Sequence, residues 1–172
     1  MPDEKKCKIV VFGAFGAGKT TLIKTVDPVS HHIEAQCAGG TTTIALDFGK
    51  LHANGCGIYI FGTPGQERYE FAREIIGKGM DGAILLIDAT SPPDAFIQHL
   101  YDSLIDAKVP FRIFLNKCNR PGADQKRYQD LFKSAPIRPV SALDRREIAT
   151  ALLEFAMTLE PHPSGHPHLT EH

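Results

Sequence analysis

The chain alternates short apolar runs with segments of helical periodicity. Most of the apolar runs are continuous, which indicates strands buried on both faces, as in a parallel sheet covered by helices. One run differs, because Asn54-Gly55 separates it from the next run and predicts a tight antiparallel turn. We therefore predict an α/β fold in three layers, with a six-stranded, mostly parallel sheet, one antiparallel strand and helices on both faces. The predicted strands cover residues 8–12, 44–52, 57–61, 82–88, 111–116 and 137–140.

Two helices have clear sequence signals. Ser91-Pro92-Pro93-Asp94 is typical of a helix N-terminus with proline in the first turn, and it predicts a helix that runs to about Lys108. The last helix is predicted over 144–159, where Ile148, Leu152, Phe155 and Leu159 lie on one face that should pack on the sheet. We expect one domain over 1–160. Residues 161–172 are rich in proline and histidine with almost nothing to bury, so we expect a flexible tail.

Composition and charge exclude several classes of protein. A chain of 172 residues with 42% hydrophobic content can bury a real core, and its net charge of -1 gives no footprint for nucleic acid or an anionic membrane. No apolar run approaches the length of a membrane span. The four cysteines stand singly, at Cys7, Cys37, Cys56 and Cys118. This spacing argues against a disulfide framework or a zinc site and favours a cytoplasmic location.

The chemistry begins at "GAFGAGKTTL", directly behind the first predicted strand. Gly13, Gly18, Lys19 and Thr20 match the pattern G-x-x-x-x-G-K-[ST], and a helix is predicted to follow. Glycines let successive backbone N–H groups converge on phosphate oxygens, and the helix N-terminus adds its positive dipole. Lys19 would reach the terminal phosphates, and the Thr20 hydroxyl would ligate Mg²⁺. This phosphate-binding loop, the P-loop, predicts a nucleotide site built from Gly13, Ala14, Phe15, Gly16, Ala17, Gly18, Lys19, Thr20 and Thr21.

The segment "FGTPGQERYEF" follows the third predicted strand and, together with the P-loop, resembles the second switch of Ras-like small GTPases. The resemblance implies a P-loop NTPase fold in which the Gly65 N–H contacts the γ-phosphate and Gln66 orients the attacking water. In "TTTIALDFG", Thr43 matches the first-switch threonine that binds both Mg²⁺ and the γ-phosphate. Thr41 and Thr42 are the alternatives to Thr43.

Two later motifs complete the resemblance. "NKCN" resembles the guanine-reading N-K-x-D and would place Asn116, Lys117 and Asn119 at the base, while "SAL" places the loop of Ser141, Ala142 and Leu143 behind it. All the motifs occur in family order over roughly residues 8 to 159. The resemblance implies GTP and GDP as ligands with Mg²⁺ held by Thr20 and Thr43. It also implies a slow hydrolase whose catalytic residues are Gln66, Lys19 and Thr43.

Gly62 departs from the family pattern, because the family has an aspartate there that fixes a Mg²⁺-bound water. Losing such an outer-shell partner typically costs ~10- to 100-fold in metal affinity or activity. Asp47 and Asp88 are available carboxylates, and the sequence does not place either near the metal. The wording "FGTPGQER" with "DFG" resembles a prokaryotic branch near the gliding-motility polarity GTPases and those paired with roadblock-type regulators, in which this glycine is a known variant.

Asn119 departs from the pattern at the base. A carboxylate accepts hydrogen bonds from both guanine N1–H and the exocyclic amino group, whereas an amide turns one donor toward a donor. Hydrogen bonds to a charged group contribute ~1.5–3 kcal/mol, so guanine preference should fall. Xanthine fits Asn119 better on hydrogen bonding alone. We favour GTP through Asn116, Lys117 and the backbone of residues 141–143, and ATP or relaxed specificity stays open.

These features favour a GTP/GDP switch in which the γ-phosphate orders residues around 31–43 and 63–75 for a partner protein to read. No arginine lies between Lys24 and Lys50, so the transition-state charge would come from Arg68 or Arg73 in cis or from a partner acting as a GTPase activator. The alternative is a nucleotide-binding scaffold without useful catalysis. A P-loop kinase is a weaker reading, because "TPGQER" has no role there.

The histidines are expected to be solvated side chains. His31 and His32 fall in the predicted first switch loop. A flexible tail offers no fixed metal geometry, which disfavours a metal site at His162, His166, His168 and His172.

Overall fold

A computed structural model describes residues 4–36, 43–65 and 70–160. It confirms the predicted α/β fold class, with helices on both faces of a mostly parallel sheet. The strands are β1 (Lys5–Phe12), β2 (His31–Gln36), β3 (Thr43–Ala53), β4 (Cys56–Gly62), β5 (Gly82–Asp88), β6 (Phe111–Asn116) and β7 (Ile137–Val140). The helices are α1 (Lys19–Val26), α2 (Glu70–Gly77), α3 (Ala95–Ala107), α4 (Gln125–Leu131) and α5 (Arg145–Thr158).

The strands lie in the order β2-β3-β4-β1-β5-β6-β7. All neighbouring pairs from β4 to β7 are parallel, whereas β3 is antiparallel to both β2 and β4. Within residues 4–36, 43–65 and 70–160, the sheet therefore has seven strands where six were predicted. The additional strand, His31–Gln36, corrects the expectation that His31 and His32 lie in a loop. Its sequence "HHIEAQ" has few apolar residues and gives no strand signal, and the segment lies at the sheet edge, where it pairs only with β3.

Alternate residues of the central strand β1 separate the two cores. Ile9 and Val11 belong to a buried cluster with α1 and α5, while Val10 and Phe12 belong to one with α2, α3 and α4. The first cluster includes Leu22 of α1, and the face predicted for the last helix: Ile148, Leu152, Phe155 and Leu159. Both faces of the sheet are thus covered, which explains the continuous apolar runs.

The prediction of the tight turn is confirmed, whereas the predicted start of α3 is not. Asn54 and Gly55 have φ of 53° and 72°, as the predicted tight hairpin requires. The predicted start of α3 at Ser91 is wrong, because Asp94 is the N-cap and its side chain accepts from the Ile97 N–H at 2.9 Å. The two prolines therefore precede the helix. Among the described residues, no helix combines the length and the apolar character needed to cross a bilayer.

The loops that follow the parallel strands meet at one edge of the sheet, and the side chain of Asn116 connects two of them. Its Nδ2 donates to the Ala17 carbonyl in the P-loop at 3.0 Å, and its Oδ1 accepts from the Ala142 N–H at 3.0 Å. The side chain lies at the end of β6 and is 4% exposed. The P-loop and the loop after β7 are therefore held against each other by one buried amide.

We predict that Asn116→Ala lowers the free energy of unfolding by roughly 2–4 kcal/mol, because two buried backbone groups lose their partners. Urea denaturation in nucleotide-free buffer measures this directly. Asn119→Ala is the control, since Asn119 is an exposed residue of the same loop and its truncation should cost much less. Equal losses for both variants would contradict the proposed connection.

Candidate nucleotide-binding site

A cavity of about 800 Å³ opens at the edge of the sheet where the loops meet. This volume is in the range of small-molecule sites. Residues of the predicted P-loop, of the loop after β4 and of the two later motifs line it: Phe15, Gly16, Gly18, Lys19, Thr20, Thr21, Gly65, Asn116, Lys117, Asn119, Ser141, Ala142 and Leu143. Gly13, Ala14 and Ala17 of the predicted set belong to the P-loop without lining the cavity. Thr43 lies at the start of β3, and Gln66, Thr41, Thr42 and Arg68 lie outside the described residues.

Gly13 and Gly18 of the P-loop are each required for a steric reason, with a different neighbouring group at each position. A Cβ atom at Gly13 would lie 2.5 Å from the Leu86 carbonyl oxygen of β5, so the loop can leave the sheet there only without a side chain. Gly18, the N-cap of α1, has φ of 107°, in the left-handed region that favours glycine. A Cβ there would lie 2.6 Å from Asn116 Nδ2. The P-loop path thus depends on its glycines.

Lys19 is the first residue of α1 and is 8% exposed. Its Nζ donates to the carbonyls of Gly13 at 2.7 Å and Ala14 at 2.9 Å, which holds the ammonium within the loop. Burial, followed by the positive charge of Arg73, lowers the pKa of Lys19 to about 8, and Asp47 opposes this shift. A lysine cation held beside the N-terminus of a helix is suited to binding phosphate oxygens.

The loop after β4 lies directly on the P-loop. The Phe15 N–H donates to the Gly65 carbonyl at 3.0 Å. A Cβ at Gly65 would lie 2.6 Å from the Phe15 nitrogen and 2.8 Å from Lys19 Nζ, so this position also requires glycine. The segment that leads to Gln66 therefore starts in contact with the P-loop lysine.

Arg73 fastens the loop after β4 to helix α2. Its side chain is 5% exposed, lies 5.0 Å from the centre of the Phe96 ring, and donates through Nη1 to the Pro64 carbonyl at 3.4 Å. These contacts give Arg73 a structural role in the described arrangement. Its positive charge adds to the effect of burial, which is the main cause of the lowered pKa of Lys19.

The other end of the cavity is formed by Lys117 and its neighbours. Lys117 has φ of 64°, and its Nζ donates to the Gly16 carbonyl at 3.0 Å and to Asp88 Oδ2 at 2.8 Å. Burial would raise the pKa of Asp88, but hydrogen bonds from Lys117 and Thr90 outweigh it and hold the pKa below its usual value. The Asp88 carboxylate is thus paired with Lys117. Asn119 also lines the cavity and is exposed to solvent.

Several cavity residues lie outside the predicted set: Leu46, Asp47, Thr63, Pro64 and Arg120. Among these, Asp47 matters most for the metal site. The sequence showed that it is an available carboxylate but not that it lies in the cavity. Its Oδ2 accepts from Thr20 Oγ1 at 2.5 Å. A hydroxyl and a carboxylate are hard oxygen ligands of the type that Mg²⁺ prefers, so this donor set fits that ion. In the described ranges no three His, Cys, Asp or Glu side chains form a cluster.

Comparison with known proteins agrees with this geometry. Residues 4–162 match the family model of the elongation factor Tu GTP binding domain. A curated relative, an uncharacterised protein of Methanocaldococcus jannaschii, is 37% identical over 110 residues, which are 64% of this chain and 69% of that protein. Translation initiation factor IF-2 of Mesoplasma florum is 29% identical over 119 residues, covering 69% of this chain and 19% of the factor.

Solved structures show the same fold. Translation elongation factor SelB from Methanococcus maripaludis, in complex with the GTP analogue GPPNHP, superposes with a TM-score of 0.72 and 19% identity, covering 93% of this chain and 36% of SelB. The G domain of the FeoB iron transporter from T. maritima gives a TM-score of 0.68 and 19% identity, covering 88% of this chain and 97% of that domain.

The family match spans nearly all of the described chain, and it supports a GTP-binding P-loop domain in general. The narrower resemblance to gliding-motility GTPases gains no support from these relatives. The chain belongs to the P-loop GTPases, in the family of the elongation factor Tu GTP-binding domain.

Proposed function

We propose that this protein is a GTP/GDP switch that hydrolyses GTP slowly and presents its two switch segments to a partner protein. The observation that carries this proposal is the contact between Gly65 and the P-loop. The Gly65 carbonyl accepts from the Phe15 N–H, and position 65 lies against Lys19 Nζ. A terminal phosphate bound to Lys19 would therefore lie beside Gly65, and in this proposal its arrival displaces the loop.

That movement is the physical basis of switching. Binding of the γ-phosphate would exchange the Phe15–Gly65 hydrogen bond for a contact between the Gly65 N–H and the phosphate. The loop between β4 and α2 would change its path, and Arg73 would transmit the change to α2 through its contact with Pro64. Ordering by a γ-phosphate and release on hydrolysis is an established type of two-state device.

The residues would divide the work along the cavity. Lys19 and the backbone of residues 13–21 would bind the phosphates, and Asn116, Lys117, Asn119 and residues 141–143 would hold the base. Thr20 and Thr43 would hold Mg²⁺, which neutralises phosphate charge when bound. Gln66 would orient the attacking water. Arg73 is already engaged with Pro64 and Phe96, so a partner is the better source of a transition-state arginine than residue 73.

The remaining expectations from the sequence belong to the same proposal. Residues 1–160 would form the working domain, and 161–172 would be a tail outside the switch. The partner would be a regulatory or effector protein that recognises the switch surface. The described residues provide no feature that selects a GTPase activator or a roadblock-type protein for that role.

We predict that the purified protein releases phosphate from bound GTP well below about 1 s⁻¹, and that Gln66→Leu slows this release by roughly 100-fold or more, since a positioned group that acts on the nucleophile contributes on that order. Single-turnover phosphate release with preloaded GTP measures both values. Gln129→Leu makes the same chemical change on exposed α4 and is the control. A parent that binds GTP but never releases phosphate would favour the scaffold alternative.

We predict that Asn119→Asp raises affinity for GTP relative to XTP by at least about 10-fold, because a carboxylate accepts from both guanine donors and each such charged hydrogen bond contributes ~1.5–3 kcal/mol. Calorimetric titration of the nucleotide-free parent and variant with GTP, XTP and ATP gives the ratios. ATP is the internal control, since its base lacks the guanine donor pair. An unchanged GTP to XTP ratio would remove residue 119 from the base contact.

A further inference from the structure

The carboxylate missing at Gly62 has a direct structural counterpart in β3. Gly62 is the buried last residue of β4, and it pairs with Val11 of β1 on one side and with Asp47 of β3 on the other. Because β3 and β4 are antiparallel, Asp47 and Gly62 are direct cross-strand partners whose side-chain positions share one face of the sheet.

The Asp47 side chain borders the space that a side chain at position 62 would enter. A Cβ atom built on Gly62 would lie 3.5 Å from Asp47 Cβ and 3.8 Å from Asp47 Oδ2. An aspartate at 62 would therefore bring its carboxylate into the immediate neighbourhood of the Asp47 carboxylate. The two positions are geometrically alternative sources of one negative charge.

Asp47 is also directed at the residue that the P-loop pattern assigns to Mg²⁺. Its Oδ2 accepts from Thr20 Oγ1 at 2.5 Å. Its charge reaches Lys19, whose pKa it raises against the opposing effects of burial and Arg73. Asp88, the other carboxylate available in the sequence, is instead bound to Lys117 at 2.8 Å, at the base end of the cavity.

We propose that Asp47 on β3 is the carboxylate of the Mg²⁺ site in this protein and takes over the role that position 62 on β4 has in the resembling family. This inference rests on the proposed function, since it assumes that a nucleotide polyphosphate and Mg²⁺ bind at the P-loop. It makes Asp47 a positioning residue that acts together with Thr20. It would give the Mg²⁺ site a carboxylate although residue 62 is a glycine.

The test measures how Mg²⁺ slows dissociation of a fluorescent GDP analogue. We predict that Asp47→Asn raises the Mg²⁺ concentration needed for the half-maximal effect by about 10- to 100-fold, the usual cost of losing an outer-shell partner. Dissociation in EDTA should match that of the parent, because the variant leaves the phosphate contacts intact. Asp130→Asn on exposed α4 is the control and should leave both values unchanged.

A charge relocation separates a metal role from a structural one. The asparagine amide oxygen in Asp47→Asn can still accept from Thr20, so urea unfolding should show a stable fold. Adding Gly62→Asp to Asp47→Asn should restore most of the Mg²⁺ dependence, since the carboxylate returns to the same place from the neighbouring strand. The new Cβ lies 3.0 Å from the Ile23 Cδ1 methyl, which can shift.

The outcomes are distinct. An Asp47→Asn variant with the parental Mg²⁺ requirement, or a double variant that stays defective while folded, would overturn the role of Asp47 and leave the switch proposal standing. A parent that holds GDP equally well with Mg²⁺ and EDTA would also overturn it. A parent that binds no guanine nucleotide under either condition would defeat the proposed function itself, and the Asp47 inference with it.

Discussion

The arrangement of the cavity depends on the buried amide of Asn116. This side chain donates to the P-loop carbonyl of Ala17 and accepts from the N–H of Ala142 in the loop after β7. Backbone groups buried in loops need partners, and here one side chain satisfies two of them across 99 and 26 residues of sequence separation. The P-loop and the loop after β7 therefore have a fixed relation to each other, which suits the proposed ligand, a base with a phosphate tail.

Three glycines of the P-loop and of the loop after β4 are required for the same steric reason. Gly13 faces a carbonyl of β5, Gly18 faces the Asn116 amide, and Gly65 faces both Phe15 and Lys19. At each position the neighbour is a polar group that would be displaced by any side chain. These close approaches hold the P-loop against the loop after β4 and against the Asn116 side chain.

The sequence predicted the parts of this molecule whose determinants are local. Continuous apolar runs marked the buried strands, Asn54-Gly55 marked the hairpin, and the P-loop pattern marked the loop that lines the cavity. It missed β2, because "HHIEAQ" is an edge strand whose pairing partner, not its composition, determines its structure. For a related reason the sequence did not show whether Asp47 lies near the metal site. The side-by-side placement of residues 47 and 62 depends on strand register, which no residue in either segment encodes alone.

That register has its origin far from the cavity. The two-residue turn at Asn54-Gly55 places Ala53 opposite Cys56, and each pair along the hairpin follows in step until Asp47 stands opposite Gly62 at the other end. A slip of one residue would turn Asp47 to the opposite side of the sheet. The conformation of a small solvent-facing turn thus sets the register along the full length of β3 and β4. Through that register it determines that a carboxylate lies beside Thr20.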